Sequence, residues 1–469
     1  RKYFLDLANA VLEYLKIDIT KKDANDFLGK FDQAILPALT NPRAGIRFAN
    51  SVGFSIPLLF GEVNISDLLS IECIKIFYPP LYYFIKENPQ YFIRNFSSVD
   101  NTFTAVSNDE RESVKIMIKK QADTFGEDSA KLLELLQNLF PQLQALFRNT
   151  HYTTETLQVW YREMRICSAH HFERYFSYVV KDGDISDAYF KDLLSGLDMT
   201  DLEKLKSRFE VELPKMKPED FIFKLKNFIA TLNEEQAKAL SIILAAFGKY
   251  FPESNQIISF SGRGEIPYII VVVLKKVSPD QRSDMCIQVV QSAMPFEFAI
   301  DISYKFRTRQ RQIEEPFFLQ DNDLIKLSEA LIERFNNEFN NTNPFGILSD
   351  GAMLGVLQMF ADIGKIEEAK ELLLNELNNS KDPLKIIKVF TPSVWSSGRD
   401  SLDPYKAGFS METYQAIATF IDPALLYNTT LKLYGKKEYV PIGDTKYGEL
   451  TDDNLIAIFQ KMYEEYNSS

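Results

Sequence analysis

Apolar residues recur at three- and four-residue steps along most of this chain. Leu5, Leu7, Ala8, Val11, Leu12 and Leu15 form one helical stripe, and the pattern returns after Thr20, from Asp23 to Ile35. Asn41-Pro42 opens a third helix, since asparagine can cap it and proline suits a first turn. Gly61 to Ser66 reads as a turn, with Asn64 or Ser66 as cap of a helix that Pro79-Pro80 stops. A first unit therefore ends near Tyr91-Phe-Ile93, and the polar residues 96–110 read as a linker. Beyond it, 113–121, 128–147, 221–229, 233–247 and 324–335 keep the helical step, the last capped by Asp321 or Asp323. Thr153–Val180 carries an aromatic stripe at helical spacing, Phe172, Tyr175 and Phe176, which reads as core. Residues 339–346 and 391–409 are loops. Only Gln256–Phe260 has the look of a strand; Tyr268–Leu274 suits buried helix or strand, and Pro267 and Pro279 favour helix. No repeat period is visible. The expectation is an all-α chain: a helical lid subdomain, 1–95, then stacked helices in domains 111–250 and 251–469.

Composition agrees with long helices. The 469 residues are 45% hydrophobic, with 37 Phe and 22 Tyr against 19 Gly and 20 Pro. Residues 1–95 carry 11 Lys and Arg against 10 Asp and Glu, while 96–469 carry 42 against 55. An acidic surface of that kind repels phosphate backbones, so no nucleic-acid partner is expected. Cys73, Cys167 and Cys286 lie in apolar helical patterns and read as buried small side chains in a reducing compartment. The longest apolar run, Tyr268–Leu274, is too short to span a membrane. Arg1 in the place of an initiator methionine, with no signal-peptide pattern after it, reads as an excised piece whose membrane segments, if any, lie upstream.

Candidate chemistry is sparse. Arg43 and Arg47 stand four apart, on one helix face, with Asn50 three further on. A guanidinium fork suits phosphate oxygens, and the plainer reading is two solvated arginines. Glu62, Asp67 and Glu72 read as an ion-pair network rather than a catalytic set. Arg162, Arg165 and Arg174 are not explained by core packing and would pair with acidic neighbours or contact another unit. His170 and His171 would point about 100° apart on a helix, and His151 is the remaining histidine. No zinc spacing and no Gly-x-Ser-x-Gly elbow occurs, so neither a metal site nor a serine nucleophile is expected, although a Ser-His-Asp set is not ruled out. Ser261-Gly-Arg-Gly264, Gly248-Lys249 and Gly443-Asp-Thr-Lys446 each fail as phosphate loops and read as turns.

Two stretches resemble a known family. Asn41-Pro-Arg-Ala-Gly-Ile-Arg-Phe-Ala-Asn50, with Phe60-Gly-Glu-Val-Asn-Ile-Ser-Asp67 and Phe77-Tyr-Pro-Pro80, is similar to the end of the ATPase domain in KAP-family P-loop NTPases. Arg165-Ile-Cys-Ser168, Phe172-Glu-Arg-Tyr-Phe176 and Asp184-Ile-Ser-Asp187 resemble the helical region that follows it, and 351–370 with 420–426 resemble its tail more loosely. The resemblance implies the C-terminal part of a bacterial NTPase, a helical sensor or regulatory region that does not hydrolyse nucleotide alone. Arg43, Arg47 and Asn50 would sense bound nucleotide, and Arg162, Arg165 and Arg174 would make interdomain contacts. No residue here would be catalytic. ATP and Mg would come only with an upstream core, the implied partner, beside a homo-oligomeric copy or another protein. The implied setting is cytoplasmic, membrane-proximal through upstream segments, in signalling or defence against phage. The reading from a different class is a self-contained helical interaction scaffold without nucleotide.

Overall fold

The computed structural model describes residues 2–17, 20–39, 41–94, 107–148, 150, 152–180, 184–251, 264–307, 319–394, 405–440 and 449–467. The chain is all-α. Among the described residues its one sheet is a two-residue ribbon, β1 (Ser393–Val394) antiparallel to β2 (Tyr405–Lys406). Two compact units divide it, Arg1–Leu194 and Ser195–Ser469.

The N-terminal unit begins with α1 (Lys2–Leu15), α2 (Lys21–Lys30), α3 (Pro42–Leu59), α4 (Ile65–Phe77), α5 (Pro79–Glu87) and α6 (Pro89–Phe92). It continues through α7 (Asn108–Asp123), α8 (Ser129–Leu139), α9 (Gln144–Phe147), α10 (Thr154–Arg162), α11 (Arg174–Ser177) and α12 (Asp187–Ser195). The starts follow the local chemistry. Asn41 accepts the amide of Ala44 at 3.0 Å with Pro42 in the first turn of α3, and Asn64, not Ser66, accepts the amide of Asp67. Pro79 does not merely stop α4; it opens α5 at once.

Helix α4 is buried continuously from Ser66 to Ile74 and packs on α2, α3 and α5. A helix enclosed on all sides needs apolar residues all round, and those that are not apolar must be satisfied internally. Phe4, Phe27, Phe31 and Phe48 stack beside it, with Phe4–Phe48 centroids at 4.5 Å. The boundary expected near residue 95 does not divide this core. The same cluster takes in Val114, Leu136, Phe140, Phe172 and Tyr175.

One helical expectation gives way here: residues 128–147 break at Phe140-Pro141. Over 153–180 the stripe is split between elements, since α10 ends at Arg162 and turns carry the chain to the short α11. Met164, just past α10, and Tyr178, at the end of α11, take left-handed backbone conformations (φ 53° and 58°). Phe172, Tyr175 and Phe176 are nevertheless core residues, as read.

The C-terminal unit runs α13 (Leu202–Glu212), α14 (Pro218–Phe228), α15 (Glu234–Ala246), α16 (Ile266–Leu274), α17 (Pro279–Ser292), α18 (Phe296–Arg307) and α19 (Asp321–Glu338). Then come α20 (Asp350–Asp362), α21 (Ile366–Ser380), α22 (Pro383–Phe390), α23 (Met411–Phe420), α24 (Pro423–Tyr434) and α25 (Asp452–Asn467). Most pack against helices one or two places along: α15 on α16 and α17, α17 on α19, α20 on α21 and α22. This is the stacking expected of neighbouring helix pairs without a sequence repeat. Pro267 does start a helix, resolving Tyr268–Leu274 as buried α16; at α19 Gln320 holds the N-cap position and the Asp323 carboxylate accepts its amide. The strand reading at 256–260, most of the Ser261-Gly-Arg-Gly264 turn and the turn at 443–446 lie outside the described residues. No helix among the described residues is long and apolar enough to cross a membrane.

Candidate functional site

The features singled out in the two motif stretches meet in the N-terminal unit, as an exposed helix face with a buried ion network behind it. On α3 the inward positions Phe48, Val52, Ile56 and Leu59 are fully buried. The opposite stripe exposes Arg43, Ile46, Arg47, Asn50, Phe54 and Leu58 at helical spacing, and Phe60 follows it. Among the described residues, neither arginine of this stripe makes an ion pair. Phe54 is 63% exposed and makes an edge contact with Tyr178, at 5.8 Å between ring centroids.

Behind α3, two carboxylates of the Glu62–Asp67 turn engage the second motif stretch. Asp67, fully buried, accepts from Lys30 Nζ at 2.9 Å, Arg165 Nε at 2.6 Å and the amide of Ile166 at 3.1 Å. Arg165 also donates to the carbonyl of Asn138. Glu62 lies across the start of α12. It accepts from the amides of Asp187 (2.9 Å) and Ala188 (3.0 Å), from the Ser186 hydroxyl and from Arg174 Nη1 at 3.0 Å. A carboxylate at a helix start is favoured by its unpaired amides and dipole. Arg174 donates further to Asp184, to Asp187 and to the Glu62 carbonyl. The Asn64 amide and the Tyr175 hydroxyl both reach the Met164 carbonyl, at 3.0 and 2.8 Å. Gly61 makes the turn possible: its φ is +82°, and an added Cβ would meet Ala188 Cβ at 3.2 Å.

A third carboxylate, Glu72, is buried on α4 and accepts from Ser51, from Lys75 at 3.0 Å and from Tyr178 at 2.7 Å. Tyr178 therefore joins exposed Phe54 to the interior. The network reading of the three carboxylates holds. Of the arginines proposed for contacts between domains, Arg165 and Arg174 pair within this unit, and Arg162 is half-exposed at the end of α10.

Ser168, His171 and Asp187 form an arrangement that sequence spacing did not reveal. His171 Nδ1 lies 3.3 Å from Ser168 Oγ, and Nε2 lies 3.0 Å from Asp187 Oδ2. The residue types are those of a hydrolytic triad with the two ring nitrogens exchanged, but the three residues are buried and Arg174 holds the same Asp187 oxygen. A serine enclosed this way offers no approach to a substrate carbonyl, so the set acts as a structural bolt. The turns over 163–173 also correct the helical placement of His170 and His171: His170 is exposed and His171 buried. His151 lies outside the described residues. Cys73, Cys167 and Cys286 are free and buried, as read, and burial raises all three thiols.

The network gives the unit an acid-labile element. Burial would raise the Asp67 carboxyl, but the charges of Arg165 and Lys30 outweigh it and hold it below the usual carboxylate range. A depressed folded-state pKa stabilises above the unfolded pKa of about 3.9, and that contribution is lost as pH falls from there toward the folded value. Asp67→Asn should be less stable than the parent at neutral pH, with the gap narrowing below about pH 4. Urea unfolding midpoints measured from neutral to acidic pH check this; a gap constant with pH would show that the Asp67 charge does not contribute.

Compared with protein-family models, with curated proteins and with solved structures, the chain gave no match.

Proposed function

We propose that this chain is the helical sensor and regulatory region of a KAP-like P-loop NTPase. In this reading the outer face of α3 docks against the nucleotide-bearing core. The observation that carries it is the stripe of Arg43, Ile46, Arg47, Asn50, Phe54 and Leu58, exposed on a helix whose other side is wholly core. Two guanidinium groups without an ion-pair partner among the described residues suit phosphate oxygens, and the apolar residues beside them suit a protein surface. The two motif stretches that carry the resemblance are also the two that the buried carboxylates join, through Asp67 with Arg165 and Glu62 with Arg174. That union supports the idea that they form one working element. Phe54 through Tyr178 to Glu72 is a short physical route from the face to the interior.

The reading frame upstream of Arg1 tests the proposal directly. A phosphate-loop motif ahead of it supports the NTPase reading, and an upstream sequence without one overturns it. In either case the purified 469-residue chain should turn over ATP or GTP more slowly than about 0.1 per second, well below ordinary enzyme rates. Faster hydrolysis, with contaminants excluded, would contradict the regulatory role. The second reading, a helical interaction scaffold, is favoured by the neighbour-on-neighbour packing of α15 through α25.

A further inference from the structure

The C-terminal unit holds an open cleft of about 490 Å³ between α23, the start of α24 and α25. Tyr414, Tyr463 and Tyr466 line it together with Thr419 and Asp422, and no Lys, Arg or His is among its lining residues. We propose that this cleft binds a quaternary ammonium group, seated against the three tyrosine rings beside the Asp422 carboxylate. Two of the rings are held by packing before any ligand arrives. Tyr414 is buried at the floor, its centroid 5.9 Å from Phe459 and 5.7 Å from Tyr466 at an interplanar angle of 49°. Tyr463 stacks on Tyr427 at 4.2 Å, and the Tyr427 hydroxyl donates to Glu464, which Lys436 holds at 2.8 Å. Burial raises the Tyr414 phenol first, and Tyr463, Tyr466 and Asp422, which line the same cleft, raise it further.

Aromatic faces carry the negative end of a quadrupole and attract cations, above all those whose charge is spread over methyl groups and needs no hydrogen-bond acceptor. A primary ammonium would lose hydration that the ring faces do not replace. An anion would meet Asp422 and no basic side chain. The volume lies within the range of small-ligand sites. Asp422 accepts the amide of Ala424 at 2.9 Å as the cap of α24, so Asp422→Asn removes the charge while keeping a good capping residue.

The ammonium group has two possible sources, a free small molecule or a trimethylated lysine in a peptide. Calorimetric titration of the intact chain with choline, with a trimethyllysine peptide and with neutral 3,3-dimethylbutanol tests the site and separates them. Saturable binding of at least one cation is expected, with the neutral isostere roughly fivefold weaker or worse. Tyr466→Leu, at an exposed position, and Asp422→Asn should each weaken that cation by a similar factor at an unchanged melting temperature. Binding by choline assigns a free ligand, and binding by the peptide alone assigns a protein tail. Equal binding of the neutral alcohol, indifference to both substitutions, or no saturable binding of either cation would overturn the proposal.

Discussion

Arg174→Met should destabilise the N-terminal unit by about 3–5 kcal/mol, the usual cost of removing one partner from a buried ion pair. The arginine is 3% exposed and lies among Glu62, Asp184 and Asp187. Methionine fills much of the same space but leaves Glu62 and Asp187 buried without the guanidinium between them. The amides at the start of α12 and the Ser186 hydroxyl would still hold Glu62, and His171 would still reach Asp187. Unfolding in urea, followed by Trp160 fluorescence with Trp395 replaced by Phe, reads this unit, since Trp160 is buried within it. A loss below about 1 kcal/mol would place Arg174 with ordinary exposed pairs and remove its ion pairs with Glu62 and Asp187 as a source of stability.

Alanine at Arg43 or Arg47 should have the opposite profile. Both side chains are exposed and face the same way, and two like charges four residues apart repel by a few tenths of a kcal/mol. The melting temperature of the chain should therefore hardly move, as for most exposed substitutions. In the full-length NTPase that the proposal requires, either change should lower hydrolysis by roughly a hundredfold or more, the scale of losing one group that stabilises charge on a transferring phosphoryl. An unchanged rate would remove α3 from the nucleotide site. A large melting shift with intact hydrolysis would make the arginines structural and favour the scaffold reading.

The all-α class, the cap at Asn41, the helix after Pro267 and the burial of the three cysteines were legible in the sequence. Each rests on local chemistry or on a 3.6-residue period, both of which act within a dozen residues. The face of α3 was legible for the same reason: once the helix starts at Pro42, Phe48 and Val52 inside put Arg43 and Arg47 outside. The turns between α10 and α11 were not, because they are set by partners far along the chain. Arg165 there reaches Asp67 across 98 residues, and Arg174 reaches Glu62 across 112. The same distance hid the Ser168–His171–Asp187 arrangement and extended the core past residue 95. Spacing fixes which side chains share one helix face. Which carboxylate a buried arginine answers, and which tyrosines meet across three helices, is decided only when the elements pack and each buried charge must find its counter-charge.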